Sequence, residues 1–412
     1  MQIKLPTANE YINDKRPVNF RPLVSFASFF SLGILTASKI DAVFSSVLVL
    51  ITVLLAFIVY ALSYKRTSLC IAAFALGIAR LVIANLCGNV LDSLLSRFAD
   101  LFTPLRDALT ENTTLLFPDD SGILCSMLWG DKSGIVHYQR EIFNGAGIAH
   151  ILALSGLHVS FFISLFTKII PKHMHRLRFF FCAGFLLFYC SIAAFPASLM
   201  RASLMSLLVI GAQLLHERYD APNSISLAAL IILLISPLEL FDLGFQMSFA
   251  AVIGIVLIYP TLSRTFHRFF PHYLAENISV SVSATAGVMP ISINAFSNFA
   301  VYSIFGNIFL LPFVSVLVIC AFAAVIISFA YFPLASLIAF LAQFVYDAIF
   351  TFSSFLCSLP FSVIDIIMPI PVGICMYCII FVMSDFYFRK PLTKTVIITL
   401  LCILALILSL VI

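Results

Sequence analysis

Long apolar runs follow one another along almost the whole sequence, and they restrict the chain to one kind of fold. About 20 apolar residues cross a bilayer, and a helix satisfies its backbone hydrogen bonds internally, so each run predicts one membrane-embedded helix. The runs, about thirteen in number, lie near 22–38, 43–63, 67–86, 148–167, 179–195, 199–215, 222–237, 245–260, 278–296, 303–330, 335–357, 369–387 and 394–412. We therefore predict an all-α fold, a polytopic transmembrane helical bundle of about 11–13 helices with an amphipathic surface helix.

Composition narrows the classes of function. Hydrophobic residues make up 62% of the 412 residues and charged residues only 10%, more apolar surface than a soluble core could bury. The net charge of +4 does not by itself indicate a nucleic-acid partner, because membrane proteins carry excess Lys and Arg in their cytoplasmic loops. The sequence has no HxHxDH cluster or comparable metal spacing and no GxxxxGK[ST] loop. We expect no cofactor, no metal and no enzymatic activity.

Basic residues are unequally shared between the two sides of the predicted bundle. With a cytoplasmic N-terminus, sixteen basic residues lie inside and five outside, a bias that the positive-inside rule favours. The inside residues are Lys4, Lys15, Arg16, Arg21, Lys65, Arg66, Lys168, Lys172, Arg176, Arg178, Arg218, Arg264, Arg268, Arg389, Lys390 and Lys394. The outside residues are Lys39, Arg97, Arg106, Lys132 and Arg140. We predict that the N-terminus is cytoplasmic.

The spacing of the runs divides the chain into three parts. Residues 1–88 hold N-terminal transmembrane helices, residues 89–144 form an extracytoplasmic amphipathic segment, and residues 145–412 form the main transmembrane domain. In the middle part, apolar residues keep helical spacing from Leu91 to Leu109, with a kink predicted near Pro104. We expect this segment to lie on the membrane surface or to cap the bundle.

The stretch from Gly145 to Ser160 interrupts an apolar run with small and polar residues. On a continuous helix, its small residues share an arc of about 80°, a surface that lets helices pack closely. These are Gly145, Ala149, Ala153, Gly156 and Ser160. His158 lies almost opposite, with His150 and Ser155 on either side, so we predict a polar face toward a cavity. The histidines could instead hydrogen-bond across helices, and the setting does not favour a hydrolase.

Two arginines fall within predicted helices, where a charge costs roughly 3 kcal/mol or more unless it is paired or hydrated. Arg201 could face the bundle, or could snorkel outward from its position near a helix start. For Arg80, the sequence offers Asp347 as a conceivable partner.

The stretch DLGFQMSF places four candidate residues where an outside turn enters a helix. They are Asp242, Gly244, Gln246 and Ser248. Asp242 could be an ordinary N-cap, because carboxylates satisfy the free N–H groups of a helix start. Gln246 needs partners for two donors and an acceptor below the interface.

Four segments, in this order, resemble the membrane-embedded domain of ComEC-type competence proteins. They are GDKSG (Gly130–Gly134), HILALSGLHVS (His150–Ser160), PASLMRASLM (Pro196–Met205) and FDLGFQMSFA (Phe241–Ala250). The resemblance covers roughly residues 110–312, and the later helices fit the same domain. Larger members also carry an OB-fold domain and a metallo-β-lactamase-like domain, for which we find no counterpart in this sequence.

The resemblance implies a function and a set of site residues. It makes residues 145–412 a competence-type channel domain that passes single-stranded DNA inward across the bacterial cell (inner) membrane during natural transformation. The residues along the DNA path would be His150, Ser155, His158, Arg201, Gln246 and Ser248. The motif residues with structural roles would be Asp131, Gly134, Gly147, Gly156, Asp242 and Gly244, although GDKSG reads equally as a simple turn.

The predicted partners are single-stranded DNA and the lipid bilayer. A DNA receptor, a cytoplasmic helicase or ATPase motor and separate OB-fold or nuclease proteins would complete the system, because this chain has no nucleotide-binding loop. Two alternatives stay open: a proton-coupled small-solute transporter that uses the His and Arg residues, and an inactive reduced paralogue. Pore width separates the DNA channel from the small-solute transporter, because a DNA strand needs a wide hydrated path whereas a carrier encloses a compact site.

Overall fold

The computed structural model describes residues 21–62, 64–87, 90–152, 154, 156–171, 173–215, 220–366, 368–384 and 397–402. Within these ranges, eight helices are long and apolar enough to cross a membrane, and four shorter apolar helices accompany them. The all-α polytopic bundle predicted from the apolar runs is therefore confirmed. Of the last predicted run, only residues 397–402 are described, and they are helical.

The N-terminal helices form one packed unit. They are α1 (Pro22–Ala37), α2 (Ala42–Ala61) and α3 (Lys65–Cys87). Helix α3 packs against both of the others, and α1 also contacts a later helix, α11 (Ala221–Ile235). Arg21 at the start of α1 forms a bidentate ion pair with Asp220 at the start of α11, at 2.9 and 2.8 Å. The pair places the starts of α1 and α11 at the same end of the bundle.

Four helices cover the segment predicted to be extracytoplasmic, and one of them is buried. They are α4 (Val90–Asp100), α5 (Thr103–Leu116), α6 (Ser121–Trp129) and α7 (His137–Gly145). The chain turns between α4 and α5, just before Pro104. Every residue of α6 from Ile123 to Trp129 is buried. The amphipathic stretch from Leu91 to Leu109 lies on α4 and α5, which are mostly exposed, whereas α6 further along the segment is core.

The continuous helix predicted over 148–167 is wrong. Helix α7 ends at Gly145, Gly147 has a left-handed backbone (φ +73°), and a short 3-10 helix covers Ala149–Leu152. Helix α8 begins at Gly156 and runs to Ile169. The small residues that shared an arc on an ideal helix thus belong to separate elements.

The next helices build the wall that carries the candidate site. They are α9 (His175–Ile192), α10 (Ala197–Leu214), α11, a 3-10 helix (Pro237–Phe241) and α12 (Leu243–Phe266). Helix α10 packs against α8, α9 and α11. The 3-10 helix follows the far end of α11, so it lies at the end of the bundle opposite Arg21.

The C-terminal part consists of long helices and a small sheet. The helices are α13 (His272–Phe296), α14 (Ser303–Ser328), α15 (Phe332–Ser358) and α16 (Ile370–Met383). Strands β1 (Asn298–Ala300) and β2 (Val363–Asp365) pair antiparallel, with Asn298 opposite Asp365. The largest apolar core lies among α6, α8, α9, α14 and α15, and a second lies among α1, α3, α11 and α12.

Candidate functional site

Arg201 is a buried charge near the start of α10. The helix begins after Pro196, which places Arg201 in its second turn, and the residue is only 2% exposed. Its Nη1 lies 3.5 Å from Glu239 Oε2 and 3.9 Å from Asp242 Oδ1. Both carboxylates belong to the segment between α11 and α12. The structure therefore supports the bundle-facing position of Arg201 and contradicts the snorkelling alternative.

The guanidinium retains hydrogen-bonding capacity. Its Cζ lies 5.9 Å from the centroid of the Phe245 ring, so an aromatic face shields one side. Within the part of the chain that the structure describes, Nε and Nη1 of Arg201 donate no hydrogen bond. A guanidinium carries five N–H donors, and a buried donor without an acceptor costs free energy. The arrangement favours an additional acceptor, such as an anion or ordered water.

The DLGFQMSF stretch organises the carboxylate side of this site. Asp242 caps α12 by accepting a hydrogen bond from the Phe245 backbone N–H at 2.8 Å, so the N-cap interpretation is confirmed. A Cβ on Gly244 would lie 2.9 Å from Asp242 Oδ1 and 3.3 Å from Arg201 Nη2, so glycine leaves room for the ion pair. Gln246 donates to the Leu240 carbonyl at 3.0 Å, and Ser248, two residues further along, is partly buried.

A cavity of about 260 Å³ opens beside this site, and Glu239 belongs to its wall. The wall also contains the start of α10, the end of α11 and the side chains of Leu95 and Ser96 from α4. Ala194 and Phe195 line it from the turn before α10, and both have left-handed backbone conformations (φ 59° and 52°). Residues with a Cβ rarely adopt this conformation, so the cavity is bordered by a strained turn.

The break in the histidine segment is stabilised by side chains from other helices. Ser126 of α6 donates to the Leu152 carbonyl, and Ser198 of α10 donates to the Leu154 carbonyl at 2.5 Å. Irregular backbone at membrane depth is tolerated where protein groups satisfy its polar atoms. Gly147 is required here, because a Cβ would collide with Ser303. Contacts with other helices therefore stabilise the break, and one of them, the hydrogen bond from Ser198, connects it to the helix that carries Arg201.

The predicted polar residues of this segment occupy different environments. His158, on α8, is fully buried, whereas His150, on the 3-10 helix, is exposed. The two imidazoles are close enough to interact electrostatically. A Cβ on Gly156 would lie 3.5 Å from the Ala202 Cβ, so the start of α8 packs beside the Arg201 turn. Ser155 lies outside the described residues.

The different burial of the two histidines predicts different effects on stability. His158→Ala should lower the free energy of unfolding by about 1–3 kcal/mol, because it leaves a cavity in the core. His150→Ala should change it by less than about 0.5 kcal/mol, because an exposed side chain fills no core space. Thermal unfolding of the purified variants in detergent tests this ranking. Equal melting temperatures for both variants would contradict it.

The GDKSG segment is a turn that supports α6. Asp131 accepts a hydrogen bond from the Ser133 backbone N–H at 3.0 Å, and this bond lowers the pKa of the Asp131 carboxyl. Gly134 packs against Gly122 at the start of α6, where a Cβ on Gly134 would lie 2.9 Å from the Gly122 Cα. The turn interpretation of GDKSG is confirmed.

Arg80 does not pair with Asp347. It donates from Nε to the Leu234 carbonyl at 2.7 Å and from Nη2 to the Ile235 carbonyl at 2.6 Å. These are the last carbonyls of α11, where a cation is favourable. Asp347 accepts from Gln343 on its own helix instead.

Two acidic residues with clear partners in the structure were not predicted as site residues from the sequence. Glu239 joins Arg201, and its only signal was an acid inside the apolar PLELF segment. Asp120 accepts hydrogen bonds from Gln139 at 3.0 Å and from Gln343 at 2.8 Å, linking the start of α6 to α7 and α15. Gln343 and Asp347 are four residues apart in an apolar run, a spacing that places both on one helix face and indicates a polar contact there.

Comparison with known proteins identifies the family. The family model described as "Competence protein" matches residues 127–391, nearly two thirds of the chain. The chain belongs to the Competence protein family. The match spans the GDKSG turn, the broken histidine segment, Arg201 and the DLGFQMSF stretch, so all the candidate residues lie within the family's domain.

Two curated relatives extend this result. "ComE operon protein 3" of Bacillus subtilis (strain 168) is 29% identical over 210 residues, which cover 50% of this chain and 26% of that protein. "Uncharacterized protein MG316" of Mycoplasma genitalium is 28% identical over 152 residues, 36% of this chain and 39% of the relative. The aligned part thus covers well under two thirds of either relative. No solved structure matches the chain.

Proposed function

We propose that this chain forms a membrane-embedded path for single-stranded DNA into the cytoplasm during natural transformation. Membership of the Competence protein family supports a role in DNA uptake. The observation that carries the finer proposal is the buried Arg201, whose Nε and Nη1 donate no hydrogen bond to described residues and whose partner Glu239 lines a cavity at one end of the bundle. Arginine is suited to phosphate recognition because its fork of N–H groups matches phosphate oxygens.

The two carboxylates beside Arg201 suit a transient phosphate contact. Transport requires that a site bind its substrate well enough to admit it and weakly enough to release it. Glu239 at 3.5 Å and Asp242 at 3.9 Å compete with a phosphate for the guanidinium. In this proposal Arg201 guides successive phosphates without trapping any of them.

The other candidate residues extend the path in this proposal. Gln246 and Ser248 follow on α12, and His150 and Ser155 follow from the broken segment, with the fully buried His158 in the core. Their hydroxyl, amide and imidazole groups hydrogen-bond to phosphate, sugar or bases without reading sequence, as a channel for arbitrary DNA requires. The function needs an energy source, which we assign to a separate cytoplasmic motor, with a DNA receptor and separate OB-fold or nuclease proteins as further partners.

Deletion of the gene that encodes this chain tests the proposal. Internalisation of labelled DNA should be lost in the deletion strain while DNA binding at the cell surface persists, and expression of the chain should restore internalisation. Normal transformation in the deletion strain would contradict the proposal and would match an inactive relative.

We place the protein in the bacterial cell membrane with a cytoplasmic N-terminus, which predicts the location of two loops. A reporter fused after Asp119 should be extracytoplasmic, and one fused after Arg176 should be cytoplasmic, because basic residues favour the inside. Alkaline phosphatase fusions are active outside the cytoplasm and β-galactosidase fusions inside it, so the two activities report the two locations. The reversed pair of activities would overturn the orientation and would place Arg201 at the cytoplasmic end.

A second candidate function is proton-coupled transport of a small solute. It is supported by the size of the cavity, because about 260 Å³ suits a small molecule better than a strand. The grouping of Glu239, Asp242 and Arg201 also resembles the paired charges that carry protons in transporters. A proton-dependent solute flux in vesicles containing the purified chain would favour this function over DNA transport.

A further inference from the structure

Three metal-ligating side chains converge at the turn between α12 and α13. His267 follows the last residue of α12, His272 is the first residue of α13, and Glu276 lies one turn further along α13. One ligand atom from each residue lies within 4.8 Å of the other two. This turn is at the opposite end of α12 from Asp242, so the cluster is separate from the Arg201 site.

The spacing of the ligand atoms is close to that of a coordination site, although the two imidazole rings must rotate before both face one ion. The imidazole rings of His267 and His272 stack with centroids 4.7 Å apart and planes inclined by 21°. His272 Nε2 lies 3.2 Å from Glu276 Oε1. In tetrahedral zinc sites, metal–ligand distances near 2.1 Å place neighbouring ligand atoms about 3.4 Å apart. The distance between His272 and Glu276 is already close to this value. The other two distances between ligand atoms are at most 4.8 Å, so rotation of the exposed histidines has to shorten them by about 1.4 Å or less.

We propose that His267, His272 and Glu276 bind one divalent transition-metal ion, with Zn²⁺ as the preferred ion. Two imidazoles and one carboxylate are a ligand set that suits Zn²⁺, and water would complete the coordination shell because the cluster faces solvent. Such an ion would join the end of α12 to the start of α13 and so fix the turn between the two helices.

The surrounding charges determine how strongly the cluster is expected to bind a metal ion. Arg264, three residues before His267, directs its Nε to the Pro260 carbonyl at 2.9 Å. Arg264 and Arg268 nevertheless add positive charge near the cluster, which opposes cation binding. We therefore expect weaker binding than in a structural site built from cysteine thiolates.

Cobalt binding to the purified chain tests the proposal. Co²⁺ is used as the probe, because its visible absorption reports four- or five-coordinate binding, and the chain is purified in detergent with a tag that contains no histidine. The wild type should bind one Co²⁺ per chain, and Zn²⁺ should displace it. His267→Ala and His272→Ala should each weaken binding about tenfold or more, since even residues that only support metal ligands contribute 10–100-fold. His267→Cys should retain binding, because a thiolate is also a ligand.

The chain supplies a matched control. His137 and Glu141 form a His–Glu pair with the same four-residue spacing, at 3.4 Å, and no third ligand group joins them among the residues that the structure describes. His137→Ala should leave Co²⁺ binding unchanged. Absence of binding by the wild type would overturn the proposal. So would a loss in His137→Ala equal to that in His272→Ala, or normal binding by His267→Ala.

Discussion

Replacing Arg201 with glutamine is expected to lower transformation at least about 30-fold at equal protein abundance. The substitution keeps polar N–H groups but removes the charge, and loss of one partner of a buried charge pair costs about 2 kcal/mol or more. In the proposed path the lost energy is the attraction between the guanidinium and each passing phosphate. Transformation frequency, normalised to the amount of protein in the membrane, measures the effect.

The lysine variant separates charge from geometry at the same position. Arg201→Lys keeps the positive charge but loses the planar fork, so transformation should fall between the wild type and Arg201→Gln. Full activity of Arg201→Gln at matched abundance would exclude Arg201 from the DNA path. A solute flux that Arg201→Gln abolishes, in cells that still transform normally, would support the carrier instead.

Glu239→Gln distinguishes a guiding role from a purely structural ion pair. Glu239 Oε2 lies 3.5 Å from Arg201 Nη1, and the amide would keep the shape while removing the competing negative charge. If Arg201 guides phosphates, Glu239→Gln should transform at or near the wild-type level. If the pair only holds the fold together, Glu239→Gln should reduce abundance as strongly as Arg201→Gln, because each substitution leaves the other group without its counter-charge.

The apolar runs predicted the bundle because the constraint behind them is general. Any run long enough to cross the bilayer must satisfy its backbone internally, and this requirement acts on each segment separately. The break between Gly145 and Gly156 follows from a different cause. Two of its carbonyls accept hydrogen bonds from Ser126 and Ser198, which are distant in sequence, and its left-handed residue faces Ser303. Helical periodicity contains no information about such partners.

The candidate site could be predicted only in part, because some of its contacts also join residues that are distant in sequence. Arg201 and the DLGFQMSF stretch were recognised from a charge in an apolar run and from motif resemblance. Glu239 was missed, because its role depends on how the 3-10 helix places its side chain beside Arg201. Asp347, the conceivable partner of Arg80, does not pair with it, because Arg80 donates to backbone carbonyls of α11. Every residue has a backbone carbonyl, so the sequence pattern does not single out these acceptors.

Replacing Gly254 with valine is expected to separate α12 from α13 and to destabilise the protein by about 3 kcal/mol, the upper end of the usual cost of overpacking. A Cβ on Gly254 would lie 2.5 Å from the Ser283 carbonyl oxygen and 2.9 Å from the Gly287 Cα. Both are backbone atoms, so no side chain can rotate away and the helices themselves must move. Close approach through small residues holds membrane helices together where no hydrophobic force acts between them. The melting temperature of the purified protein in detergent measures the loss.

Gly184→Val is the matched control, because a Cβ at Gly184 of α9 would meet no atom within 4 Å. Both substitutions add the same β-branched side chain to a membrane helix, so effects of propensity and hydrophobicity are common to the two variants. Any difference in melting temperature therefore reports the contact between α12 and α13. The Gly254 variant should also lose transformation, since α12 carries Asp242 beside Arg201. Equal melting temperatures for the two variants would mean that α12 and α13 do not pack at this glycine contact.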